Sequence, residues 1–407
     1  MPDAGGPFSL HIMPRAVWLL VAAAAASISL ALGVRQTFGL FLLPLAVEEG
    51  LSPAILGGSV ALHNLVWGLG QPVSGAMADR HGAGRVMAGG SLLLAAGLAL
   101  PALLPGPLTM FLGIGVLTGL GVACTGTGAA LAAVGRAVPP ERRGEMIGLA
   151  SAGGSFGQAA LVPVAQGLIG GFGALATLSM LAVAMLAIVP IARTVEWQPP
   201  ASGFGAGPRP SLFALARTAL TDRDFALLTA GFFACGFQLA FLTTHLPSHI
   251  SLCGLPVELG AMALMTIGLF NIPGSWLCGR VSNFMQPERA LGAIYLLRTV
   301  AIACFALAPP SYGGTLVFAA VMGFVWLGTI PLTSAAIARR FGVADLGALY
   351  GVCFLSHQLG GFLGAGSGAV LLETAGTYAA FWPVMILVGL AATAVNWMAR
   401  PPARALA

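Results

Sequence analysis

The chain has 407 residues, of which 57% are hydrophobic and 8% charged, whereas a soluble domain of average composition carries about 25% charged residues. That deficit excludes a soluble globular protein. The net charge of +5 is scattered over short loops rather than gathered in one patch, which excludes a nucleic-acid partner. Apolar runs of 20 or more residues recur along the chain, and each is long enough to cross a hydrocarbon core of about 30 Å as a helix. A membrane β-barrel would instead alternate in segments of about 10 residues. The expected fold class is an all-α polytopic membrane protein.

The first apolar run, 16–47, follows Arg15 and is too long for a cleaved signal peptide, so it reads as a retained helix. Further spans are predicted near 54–78, 84–104, 107–135, 145–171 and 173–193. A polar stretch follows, with Glu196, Pro199, Pro200, Pro208 and Pro210, and it reads as a linker. Six more spans are predicted near 224–250, 257–279, 288–309, 312–338, 345–371 and 376–398. The predicted organisation is an N-terminal six-helix bundle over 1–195, a linker over 196–223 and a C-terminal six-helix bundle over 224–407. The 57 glycines favour close helix contact.

All eighteen basic residues are arginine, and sixteen of them lie on one side of this pattern. Alternate loops hold Arg80 and Arg85, then Arg136, Arg142 and Arg143, then the linker arginines, then Arg280 and Arg289, then Arg339 and Arg340. The intervening loops have no arginine and carry acidic residues such as Glu48, Glu49 and Glu373. By the positive-inside rule both termini and the linker are expected in the cytoplasm, in a protein of the bacterial inner (plasma) membrane that works as a monomer among membrane lipids.

After the second span the chain reads Gly75-Ala-Met-Ala-Asp79-Arg80-His81-Gly82-Ala-Gly84-Arg85. This resembles the G-x-x-x-D-R-x-G-x-x-R signature of the major facilitator superfamily. The resemblance implies two six-helix repeats and a conformational gate formed by Gly75, Asp79, Arg80 and Arg85. In that gate Gly75 permits close helix contact, and Asp79 accepts from a neighbouring helix N-terminus. The corresponding place in the second half, Ser275-Trp-Leu-Cys-Gly279-Arg280, lacks the acidic residue. The stretch Arg142-Arg143-Gly144-Glu145 leading into Gly153-Gly154-Ser155 is similar to the monocarboxylate transporter and oxalate:formate antiporter branch, as is the first helix around Thr37-Phe38-Gly39. Arg339-Arg340-Phe341-Gly342, followed by His357-Gln358-Leu359-Gly360, repeats that theme. Proton-coupled members of the branch carry an acidic residue and an arginine in the eighth helix. Here that helix reads Phe270-Asn271-Ile272-Pro273, so their coupling device does not transfer.

Two arginines, Arg35 and Arg298, lie within apolar spans. An arginine at the bilayer centre costs roughly 2.5–3.5 kcal/mol on insertion scales. No acidic residue lies in the middle of any span to pair with either one. Arg35, in the first helix, is read as the ligand for a substrate carboxylate, which matches its planar fork. The alternative is an arginine satisfied by the carbonyls of a broken helix. Arg298, in the ninth helix, is read as structural. Polar and aromatic residues at helical spacing complete the predicted substrate site: Phe38, Asn64 and Trp67, then Gln238 and His245, Asn271, Trp326, and finally His357 and Gln358. Their alternative is hydrogen bonding between helices. If transport is proton-linked, His245 or His357 is expected to carry the proton, or the substrate enters protonated.

No catalytic constellation, cofactor motif or metal-ligand spacing stands out, and the six cysteines suggest neither a metal site nor disulfides. The expected function is therefore not enzymatic. It is secondary active transport of a small organic anion, a mono- or dicarboxylate, by alternating access. The alternatives are a transporter of a neutral or aromatic compound (vitamin import or drug efflux) and a non-transporting sensor on the same fold.

Overall fold

A backbone inside hydrocarbon must satisfy its own N–H and C=O groups, and a helix does so within one segment. The computed structural model describes residues 14–138, 142–195, 212–281, 284–342 and 346–400, and among them it contains helices and no strand. In chain order the long helices are α1 (Arg15–Glu48), α2 (Pro53–His81), α3 (Ala83–Leu103), α4 (Pro107–Ala137), α5 (Arg143–Phe172) and α6 (Ala174–Ala192). After the linker come α7 (Arg223–Leu252), α8 (Val257–Val281), α9 (Pro287–Leu307), α10 (Tyr312–Phe341), α11 (Leu346–Ala375) and α12 (Phe381–Met398). Among the described residues, eleven of these helices are long and apolar enough to cross a membrane. The twelfth, α2, has 29 residues but is less apolar, because His63, Asn64 and Gln71 occupy its middle.

Part of the predicted linker is not loop. Residues 196–211 lie outside the described residues, but Leu212–Thr221 forms a helix that packs against α7 and α11. It buries Ala219 and exposes Arg217 and Leu220. At the same end, Arg340 closes α10 by pairing with Asp222 and Asp224 at the start of α7, each at 2.7 Å. Asp222 also caps α7 by accepting from the N–H groups of Asp224 and Phe225.

Helix pairing repeats between the two sets of six. α1 packs on α5 as α7 packs on α11, α3 on α6 as α9 on α12, and α2 on α4 as α8 on α10. Glycine makes the closest of these contacts possible. A Cβ at Gly153 or Gly157 of α5 would collide with the carbonyls of Ala25 and Ser29 on α1, and a Cβ at Gly360 or Gly364 of α11 would collide with those of Phe233 and Phe237 on α7.

Two helices break at matching places. α4 interrupts at Gly126, where ψ is −150°, and α10 interrupts between Phe324 and Thr329. A break frees backbone groups that hydrocarbon cannot satisfy. In α4 the hydroxyl of Ser27 donates to the Thr125 carbonyl at 3.1 Å. In α10 the task falls to Arg298, whose Nε and Nη2 donate to the Val325 carbonyl at 3.2 and 2.6 Å. Its Nη2 also bonds the Trp326 carbonyl, and Nη1 lies 3.3 Å from Cys235 Sγ. Asn271 accepts from the Leu327 N–H at 3.1 Å. The C-terminal end of a helical segment carries partial negative charge, so the buried guanidinium is compensated without a carboxylate. These bonds support the structural reading of Arg298. Replacing Arg298 with Gln is expected to lower the unfolding free energy by about 2–4 kcal/mol, because buried carbonyls lose a charged donor. Thermal unfolding of the detergent-solubilised variant checks this, and an unchanged midpoint would contradict it.

The two sets of six meet away from the arginine-rich loops. A Cβ at Gly39 of α1 would strike the Thr243 and Thr244 carbonyls of α7, one at Gly57 of α2 would strike Ala369 of α11, and one at Gly268 of α8 would strike Ala159 of α5. Glycines nearer the arginine-rich ends make no such contact, and neither do Gly167, Gly170 and Gly171 at the other end of α5. Among the described residues, no atom stands within 4 Å of a Cβ built on Gly75, Gly148, Gly347 or Gly351. The close contact expected of Gly75 is therefore not made in this state. The Asp79 side chain lies outside the described residues, while Arg80 and Arg85 are exposed.

Candidate functional site

Arg35 emerges from α1 just before a tight 3-10 turn, Phe38–Phe41, and faces α2. Its Nη2 donates to Asn64 Oδ1 at 3.2 Å, and its guanidinium carbon lies 5.2 Å from the Trp67 ring centroid. Asn64 and Trp67 are three residues apart on α2 and so present one face. Trp67 is fixed in turn, because its Nε1 donates to Gln71 Oε1 at 2.9 Å. Phe38 meets His63 edge-on with centroids 5.4 Å apart, and His63 Nδ1 donates to the Thr118 hydroxyl at 2.8 Å. The first half thus brings Arg35, Asn64 and Trp67 together, with Phe38 beside them against His63.

The second half contributes α11. Phe354 packs edge-on against Trp67 at 5.2 Å, and Gln358 is fully buried beneath Gly68 of α2. His357 Nδ1 donates to Gln358 Oε1 at 3.1 Å, which leaves Gln358 Nε2 buried without a partner. Phe354 was not singled out by the sequence reading. The available signal was its place one helical turn before Gln358.

The electrostatics centre on one unmatched cation. Arg35 is only partly buried, and among the described residues it donates one hydrogen bond and meets no carboxylate. A guanidinium offers five N–H donors, so most of its capacity is unused. Arg298 is fully buried and bonds two carbonyls and a sulfur.

Four predicted site residues form their bonds away from Arg35, three through the side chain and Trp326 through its backbone. Gln238 Nε2 donates to the Met385 carbonyl at 3.2 Å, turned toward α12. His245 is held at both nitrogens, with Nε2 donating to the Ala365 carbonyl at 2.8 Å and Nδ1 2.9 Å from the Tyr378 hydroxyl. A carbonyl only accepts, so Nε2 carries the proton, and Nδ1 accepts from Tyr378. Trp326 lies at the α10 break, and its carbonyl bonds Arg298. Asn271 bridges the halves, donating to the Ser155 hydroxyl at 2.8 Å. For the side chains of Gln238, His245 and Asn271 the reason is the same: a buried polar group takes the nearest backbone or hydroxyl partner. Apart from this site, a cavity of about 390 Å³ lies between α7, α9 and α10, lined by His249, Phe305 and Phe318 and bordered by exposed Leu297, Val300 and Val317.

Residues 17–365 match the model of the Major Facilitator Superfamily. The chain belongs to that superfamily. This Major Facilitator protein is an integral membrane transporter rather than an enzyme. It is 27% identical over 376 residues to human monocarboxylate transporter 11, covering 89% of this chain and 78% of the relative. It is 25% identical to rat monocarboxylate transporter 13 over 382 residues, covering 90% and 85%. A Bacillus subtilis relative, the uncharacterized MFS-type transporter YcxA, is 24% identical over 387 residues, covering 88% and 89%. The sequence resemblance to the superfamily and to its monocarboxylate branch is thereby borne out.

Because His245 is fully bonded within the second half, His245→Asn is expected to cost about 1–3 kcal/mol of stability. It should leave ligand affinity at the Arg35 site unchanged. Thermal unfolding and ligand titration on one preparation separate these effects, and a lost affinity at normal stability would place His245 back in the site.

Proposed function

We propose that this Major Facilitator protein is a secondary active transporter of small organic anions, carrying a mono- or dicarboxylate by alternating access. The observation that carries the reading is the contrast between its two intramembrane arginines. Arg298 is consumed by backbone carbonyls, whereas Arg35 is only partly buried and lacks an anionic partner among the described residues. A desolvated guanidinium favours a carboxylate that accepts from both of its terminal nitrogens. Phe38, Trp67 and Phe354 supply an apolar wall for a short carbon skeleton, and Asn64, His357 and Gln358 supply further polar groups. The printed names of the mammalian relatives point to monocarboxylates.

In this reading both termini and the linker are cytoplasmic, which the arginine distribution supports, and the membrane is the plasma membrane of a bacterium. The contacts of Gly39 and Gly57 and the Glu373 bonds to α2 support a state in which the halves are closed at the outer end. The protein acts as a monomer, with Gly75, Asp79, Arg80 and Arg85 forming the cytoplasmic gate in the opposite state. Where transport is coupled to protons, His357 carries the proton, since it adjoins Gln358 of the site, whereas His245 is turned to Ala365 and Tyr378. A neutral aromatic substrate is the second reading, favoured by the aromatic wall alone.

Thermal-shift binding with a panel of mono- and dicarboxylates tests the proposal. A ligand present at 100 times its dissociation constant stabilises the folded state by about 2.7 kcal/mol. Stabilisation by a carboxylate is expected in the wild type and absent in Arg35→Ala. Arg35→Lys is expected to weaken binding roughly tenfold or more, since a point charge replaces a two-pronged donor. Equal stabilisation of wild type and Arg35→Ala, or a response to neutral aromatics alone, would overturn it.

A further inference from the structure

At the arginine-poor end two glutamates each cap a helix other than their own. Glu48, closing α1, accepts from the Ala174 N–H at 2.9 Å and so caps α6 within the first six helices. Glu373, near the end of α11, accepts from the Ala54 N–H at 3.0 Å and from the Ser52 hydroxyl at 2.5 Å. That second cap belongs to α2, so it crosses from the last six helices to the first six.

The first turn of a helix has N–H groups without internal partners and carries partial positive charge. α2 does not meet this need itself. Ser52 sits at its N-cap with extended backbone, yet its side chain makes no bond within the helix and donates to Glu373 instead. Below the cap, α2 and α11 run together through Gly57 against Ala369, Ala61 against Gly366, Asn64 against Gly361, and Gly68 against Gln358. These rungs are mostly small residues in van der Waals contact. They permit close approach and supply little directional attraction. Glu373 adds a charge-assisted, directional link at the head of the ladder.

We propose that Glu373 is a latch: by capping α2 from the other half it holds the arginine-poor ends closed, and its release accompanies opening at that end. The proposal rests on the alternating-access part of the reading above and is independent of the anion. Glu48 provides an internal comparison, with the same chemistry confined to one half, so that rocking of the halves leaves its cap intact.

Hydrogen–deuterium exchange of the full-length protein in lipid nanodiscs, with no ligand added, tests this on wild type, Glu373→Ala, Glu373→Gln and Glu48→Ala. Glu373→Ala is expected to raise exchange about tenfold along the first half of α2 and the last half of α11. It should also raise exchange around Thr243 and Thr244 of α7, which face Gly39 and are not bonded by Glu373. Exchange around Gly75 and Gly351 should slow as the arginine-rich ends draw together. Glu373→Gln keeps an acceptor oxygen without the charge and should move the same segments less. It carries the test if the alanine variant does not fold. Glu48→Ala should affect α6 alone. An increase confined to the first turn of α2, or no change in any segment, would reduce Glu373 to a local cap and overturn the latch. Because no anion is present, the result stands apart from any failure of the carboxylate reading.

Discussion

Placing a guanidinium inside an apolar helix bundle that has no carboxylate at the same depth is the constraint on which this structure turns. The cost is severe unless other groups replace water around the charge. The protein meets it in two ways. At Arg298 the solution is internal and complete, because a broken helix exposes carbonyls at its negative end and the arginine occupies them. The break and the cation solve each other's problem. At Arg35 the solution is partial. One amide oxygen and the face of an indole take part of the charge, and the remaining donors stay available.

The packing around these arginines differs within the halves and between them. Contacts inside each half rest on glycines whose missing Cβ atoms let backbones touch over the length of a helix pair. Contacts between halves gather toward one end, from Gly39, Gly57 and Gly268 up to the Glu373 cap. Toward the other end the glycines of α2, α5 and α11 face open space among the described residues. On the proposed reading, the two halves rock about the site between them.

Much of the fold was legible in the sequence, because hydropathy and arginine placement act over whole segments. Twenty-residue runs fix spans, and alternating arginine-bearing loops fix their order. The first-half cluster was legible as well, since Arg35, Asn64 and Trp67 follow from one deep charge and one helical face. The second half was less so. Gln238 and His245 carry the same polar-stripe signal as Asn64, yet α12 and the Ala365 carbonyl claim them. Spacing along a helix identifies a face but not the neighbour it meets, and that neighbour decides whether a polar group is free. The carbonyl-satisfied arginine was foreseen as the alternative for Arg35 and is realised at Arg298, because sequence alone does not show where α10 breaks. The linker helix escaped notice because Pro208 and Pro210 precede it closely.

The repeats are alike in packing and unlike in chemistry, and that difference bears on how a cycle is organised. α4 and α10 break at matching places, but one break takes a serine hydroxyl and the other an arginine. The site places its charge entirely in the first half, while the second half offers Phe354, His357 and Gln358, an aromatic and two neutral polar groups. On the proposed reading the anion is held by one half throughout and is covered or uncovered by the other. Affinity then resides in Arg35 and its neighbours on α2, and access resides in α11. The same helix α11 carries Glu373 at its far end, so the helix that closes over the site is also the one that ties the seam. Asn271 joins a second part of that seam to the broken helix, because it bonds Ser155 of α5 and the Leu327 N–H of α10 at once. Movement between the halves must therefore disturb the surroundings of the α10 break, which Arg298 holds together from the opposite side.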